Sequence, residues 1–212
     1  MVESARSWSG EGGSRVTLTA RQEKDLEPIP VIMVREDLAA LPSFPLPPGY
    51  RLRYFRRGEG PLWAEIEVSV GEFPTVEQAL AHFEKEFGPF QEEMEQRCLF
   101  LEDAAGRAIG TTTAWYNPSF QGKDYGRIHW VAIRPEQQGR KLGKPLLAAA
   151  LRRLADFHTR AYLTTQTTSA RAIRMYLDLG FVPFITSDRC RTAWRLLASV
   201  LQHPALEAYQ EP

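Results

Sequence analysis

Apolar residues recur along the chain with two different periods, and the change of period marks the elements. Trp63, Ile66 and Val70 fall three and four positions apart, as do Leu80, Phe83 and Phe87, and both runs predict amphipathic helices. Pro61 opens the first, because a proline in the first turn forfeits no helical hydrogen bond. Thr75 followed by Gln78 has the form of a capping box for the second, which Gly88-Pro89 stops. Arg51 to Phe55, Cys98 to Glu102, Ala108 to Tyr116 and Ile128 to Ile133 predict strands, and Asp103-Ala104-Ala105-Gly106 predicts an antiparallel hairpin between two of them. There follow a helix with Leu147, Leu151 and Leu154 on one stripe, a strand Tyr162 to Thr165, and a helix Arg171 to Leu179 capped at Gly180. Phe181 to Ile185 and Thr192 to Leu197 read as closing strands. Upstream, Val31 to Val34 reads as an edge strand. Leu41 to Pro48 holds too many prolines for helix or central strand and is expected to form an ordered strap.

Composition narrows the function classes. The 212 residues fit one compact domain with an extension, and 43% hydrophobic with 25% charged residues is a globular balance. The expected division is a flexible tail over 1–14, an extension with the proline strap over 15–49, a domain over 50–198 and a C-terminal tail over 199–212. Lys plus Arg (26) cancels Asp plus Glu (26), which argues against a nucleic-acid binder and makes any anion site local. No run of roughly 18 apolar residues exists to span a membrane, and Met1 to Ser14 has no apolar core for a signal peptide, so a cytoplasmic protein is expected. Cys98 and Cys190 are expected to be free thiols, and His82, His129, His158 and His203 show no ligand spacing, so no metal is expected.

The chemistry concentrates after the strand ending at Ile133. Arg134 to Pro145 is a basic, glycine-containing turn entering a helix, where unpaired N–H groups and the helix dipole converge with Arg140, Lys141 and Lys144 on one anion-sized point. A Walker loop is excluded, because Gly139 and Gly143 stand too close together and Pro145 replaces the hydroxyl residue; the dinucleotide fingerprint is absent. The segment resembles the acetyl-CoA signature of the GCN5-related N-acetyltransferase (GNAT) superfamily, in which Gln or Arg is followed at fixed spacing by two small residues. Gln138 matches its first position and Gly143 its last, while Lys141 replaces the first signature glycine, where positive φ carries strain for a lysine. Ala170 to Phe181 resembles the superfamily's Tyr-x-x-x-Gly-Phe element, with Ser169 in place of the usual Asn.

The resemblance implies a mixed, mostly antiparallel sheet with helices on both faces and splayed fourth and fifth strands. It implies acetyl-CoA as acetyl-donor cosubstrate, held by Val131, Ala132 and Ile133 on the fourth strand, by Gln138, Gly139, Arg140, Lys141, Leu142, Gly143 and Lys144 in the turn, and by Ser169. Tyr176 is the expected general acid toward the CoA sulfur, and His129 the expected base for the acceptor amine, on the same strand face as Val131 if side chains alternate. Glu65 and Glu67 in the first helix are weaker alternatives as base. The implied activity is acetyl transfer to a primary amine, on a small molecule or peptide, by direct attack in a ternary complex; the rivals are a non-catalytic CoA-binding module and a transferase of longer acyl groups. Neither nucleic acid nor membrane is an expected partner, and the family allows a homodimer.

Overall fold

The computed structural model describes residues 26–117 and 119–210; the tail expected over 1–14 and the first part of the expected extension lie outside them. Seven strands, β1 (Pro30–Arg35), β2 (Arg51–Tyr54), β3 (Cys98–Glu102), β4 (Ala108–Asn117), β5 (Tyr125–Ile133), β6 (Ala161–Gln166) and β7 (Val182–Phe184), form one open sheet in the order β2-β3-β4-β5-β6-β1-β7. Every neighbouring pair is antiparallel except β5 and β6. The helices are α1 (Gly60–Ser69), α2 (Val76–Phe87), α3 (Gln91–Arg97), α4 (Gly143–Ala155), α5 (Ala170–Asp178) and α6 (Asp188–Leu201).

The pleat sorts the core into two layers. In β3, Cys98 and Phe100 pack under α1 and α2 with Trp63, Ile66, Phe83 and Phe87. Leu99 and Leu101 point the other way, toward α4, α5 and α6 with Leu147, Leu151, Ile173 and Trp194. A strand covered on both faces has no polar side to show, which is why β3 is buried throughout. The predicted cap on α2 forms, with Thr75 Oγ1 accepting from the Gln78 N–H at 3.3 Å. Gly180 adopts φ 81° directly after α5, the left-handed turn its sequence position requires.

Three elements depart from the sequence reading. Gly88-Pro89 ends α2 without ending helical structure, since a short 3-10 turn leads into α3, anchored by buried Met94. Thr192 to Leu197, read as a strand, lies inside α6. Its buried residues Cys190, Ala193, Trp194, Leu197, Ala198 and Leu201 follow the helical period, and Ser187 caps its start by accepting from the Cys190 N–H. Val31 to Val34 is no edge strand: β1 is inserted between β6 and β7 and pairs with both, so its residues need covering on both faces. Leu41, Phe44 and Leu46 of the strap pack against the core beneath α4. After α6, a 3-10 turn over Pro204–Tyr209 buries Leu206.

Candidate active site

The site begins where the one parallel pairing fails. β5 and β6 are in register at Gly126↔Ala161 and Arg127↔Tyr162 and then part, leaving the rest of β5 without a partner on that side. A cleft of about 500 Å³ opens in the fork. Its walls are Arg127 to Val131 of β5, Leu163 to Gln166 of β6, Ser169, Ala172 and Tyr176 at α5, and Glu67 and Glu72 at the end of α1.

β5 is bent at this point by a bulge. Thr111 faces Ala132 and Thr113 faces His129, so Trp130 and Val131 together oppose Thr112. Trp130 takes φ 50°, a conformation costing about 1–3 kcal/mol for a bulky residue. Its indole repays that through ring contacts with Trp63 (5.2 Å), Phe73 (5.5 Å) and His82 (5.2 Å), each contact contributing about 0.5–1.5 kcal/mol. Indole Nε1 also donates to Glu86 Oε2 at 2.9 Å. The bulge corrects one expectation: the extra residue breaks alternation, so His129 lies on the α2 side with Glu86 while Val131 and Ile133 pack toward the opposite core.

His129 Nε2 lies 2.7 Å from Glu86 Oε1, and His82 Nε2 lies 3.0 Å from Glu86 Oε2. Burial works against the Glu86 carboxylate, but the hydrogen bonds from His129, Trp130 and His82 outweigh it and hold its pKa at about 2. Burial lowers the pKa of His129, with the Glu86 contact opposing, so the imidazole is neutral at pH 7. Its Nε2–H then donates to Glu86, which fixes the tautomer and leaves Nδ1 as the acceptor.

Across the cleft, Glu67 is 1% exposed and its Oε1 has no hydrogen-bond partner. Burial first and the Glu72 charge second raise its pKa to about 8. Glu65, the other alternative, points outward to Arg134 at 3.2 Å. Tyr176 is buried, and desolvation followed by the Glu72 charge pushes its phenol far above the ordinary range, so it stays protonated at every physiological pH. Neither Glu86, which looks in the sequence like a surface residue spaced four from His82, nor Arg127 is singled out by any local pattern.

The turn after β5 leaves backbone N–H groups free and offers a smaller set of free cations than expected. Gly139 (φ 77°) and Lys141 (φ 62°) both adopt left-handed backbone, so Lys141 takes the strained conformation of the glycine it replaces. Among the described residues, no N–H from Gly139 to Lys144 donates a hydrogen bond within the protein, and α4 starts without a side-chain cap. Gln138 folds back, donating through Nε2 to the Ile133 carbonyl at 2.8 Å. Arg140 reaches the Tyr50 hydroxyl at 3.3 Å. Lys144 is committed elsewhere, paired with Asp178 at 2.8 Å over the Phe44 ring. Gly143 lets α4 meet α5, since a Cβ there would come within 2.7 Å of Met175 Sδ.

Residues 63–181 match the model of the acetyltransferase (GNAT) family. The chain is 35% identical over 103 residues to a mycothiol acetyltransferase of Acidimicrobium ferrooxidans, covering 48% of this chain and 32% of that one. It is 33% identical over 144 residues to a mycothiol acetyltransferase of Saccharomonospora viridis, covering 64% and 47%. The chain thus spans between about a third and about half of the curated relatives it matches. A GCN5-related N-acetyltransferase from Sphaerobacter thermophilus shares the fold with a TM-score of 0.57 at 21% identity, over 74% of this chain and 50% of that one. The family match covers more than half of the residues and falls on the fork and the turn that the strands themselves single out, and on that ground the protein belongs to the GNAT family of acyltransferases.

Proposed function

We propose that the protein transfers an acetyl group from acetyl-CoA to a primary amine by direct attack within a ternary complex. The observation that carries this reading is the fork: an unpaired edge of β5 faces Tyr176 of α5 across a cleft, and the same strand runs on into a turn of free N–H groups. The backbone of Val131 and Ile133, open on the β6 side with Ala132 between them paired to Thr111, is suited to the amides of the pantetheine arm, and Gly139 to Lys144, with Arg140 and Lys141, to the diphosphate. Gln138 supports this turn through its own carbonyl contact, and Ser169 lies at the mouth of the cleft. Acetyl-CoA supplies the activated acyl group; the N–H groups of the bulged strand polarise its carbonyl, a kind of contact worth about 2.7–4 kcal/mol of barrier.

His129 takes the proton from the acceptor ammonium through Nδ1, held in place by Glu86, and Tyr176 returns a proton to the departing thiolate. Glu67 is a second reading for the base, favoured by its unpartnered oxygen in the same cleft. The test is thermal shift with CoA and acetyl-CoA, followed by CoA release with a panel of amines. Saturating ligand at 100 times its dissociation constant adds about 2.7 kcal/mol of stability. A folded sample with no shift at millimolar CoA overturns the assignment; binding without turnover leaves the non-catalytic module. Comparison of acetyl-CoA with longer acyl-CoA donors separates the remaining rival.

A further inference from the structure

We propose that the accepted amine also carries a carboxylate, making it an amino acid in class, and that Arg127 holds that carboxylate at the fork between β5 and β6. The inference rests on the acetyltransfer reading above and names its acceptor.

Arg127 occupies the last rung before the strands part, paired with Tyr162, and lines the cleft. It is half-buried, its Nε is inaccessible and without a hydrogen-bond partner, and its guanidinium lies 5.9 Å from the Tyr162 ring centroid. Of the other half-buried arginines, Arg53, Arg134, Arg153 and Arg160 are each paired with a carboxylate, and Arg35, Arg97 and Arg174 donate to backbone carbonyls. Among the described residues no carboxylate is paired with Arg127. A buried Nε–H without an acceptor is costly, and the partner that the flat fork of guanidinium donors fits best is a planar anion bound through two parallel N–H groups. The CoA diphosphate cannot serve, because Arg127 precedes the end of β5 by six residues, about 20 Å of strand.

Acidic side chains line the cleft as well, Glu67 as a protonated carboxyl at pH 7. Glu67 and Glu72 line the same cleft, and Glu67 Oε1 likewise lacks a partner. A polyamine would set a cation against Arg127, and an amine without an acid group would leave Arg127 bare. An amine bearing a carboxylate gives Arg127 its acceptor and leaves the amine in the cleft that His129 and Glu67 both line. Arg127 and His129 precede the bulge and alternate onto one face of β5, so the carboxylate grip and the base address the same end of the acceptor.

The test is CoA release by the full chain with matched pairs of amines, each amino acid beside its own decarboxylated counterpart, for the wild type, Arg127→Gln and Arg127→Lys. The wild type is expected to favour an amino acid over its counterpart by about 10²-fold in kcat/KM, because a site built around a charged hydrogen bond discriminates against a ligand lacking it. Arg127→Gln should abolish that preference, acting through KM on the amino acid and leaving the counterpart nearly unchanged. Arg127→Lys keeps the charge and the stem but not the fork, and should recover only part of it; it also serves if the glutamine variant does not fold, judged by the CoA thermal shift. A wild type that prefers the decarboxylated members, or variants that lower both members equally, overturns the acceptor class and leaves acetyl transfer standing. No CoA release with any amine, in a sample that binds acetyl-CoA, overturns the transfer itself and the acceptor with it.

Discussion

A phenol and an imidazole divide the proton traffic proposed here, and each can be tested without disturbing the other. Tyr176→Phe keeps the ring that packs in α5 and removes only the hydroxyl, so turnover should fall about 10²- to 10⁴-fold while acetyl-CoA binding persists. With His129 as base, kcat/KM rises with pH along a limb below 6.5, since burial lowers its pKa, and His129→Gln should remove that limb. A limb near pH 8 that disappears in Glu67→Gln instead would assign the base to Glu67. Two acceptors of different pKa separate either limb from titration of the amine. The sequence brought Tyr176 and His129 to the cleft through spacing and resemblance. It could not bring Glu86 or Arg127, because a carboxylate from α2 and a guanidinium at a fork become functional only through contacts between distant segments.

Helix periodicity made α1, α2, α4 and α5 legible, because each buries a stripe that only a 3.6-residue repeat explains. α6 was misread because Thr192 to Leu197 has strand-like composition, and its helical stripe shows only when Cys190 and Leu201 are counted with it. The position of β1 had no local signal, since an apolar run of this length suits an edge or an interior equally. At the turn between β5 and α4, Lys141→Gly should raise stability by about 1 kcal/mol by removing left-handed strain, yet weaken CoA binding by removing a charge; unfolding and ligand titrations on one sample read both. Gly143→Ala should destabilise by about 1–3 kcal/mol as the new methyl presses on Met175, with the flexible thioether keeping the loss at the lower end.

Across the molecule, one half-buried and one buried carboxyl set opposite pH limits. Glu86 has its pKa lowered to about 2 in the folded state, so the stability it contributes is present above its ordinary 4.5 and is lost as pH falls toward 2. Glu67 is raised from 4.5 to about 8, so its contribution is present below 4.5 and is lost as pH rises through 8, a change of roughly 3–5 kcal/mol. Urea unfolding from pH 4 to 9 should show a decline toward alkali that Glu67→Gln flattens. The two-sheet-neighbour position of β1 bears on a different process, the order in which the chain can fold. β7 is bonded to the sheet through β1, and β1 gains its first partner only when β6 exists; the bond from the Ile29 N–H to Thr167 spans 138 positions. On the ribosome, at about 5–20 residues per second, β1 therefore stays an unpaired apolar strand for about 7–30 seconds, while β3 to β5 can already assemble as a meander of near neighbours. Closure of the cleft's far wall is thus the late, slow event of folding, and the fork is among the last features of the molecule to come into being.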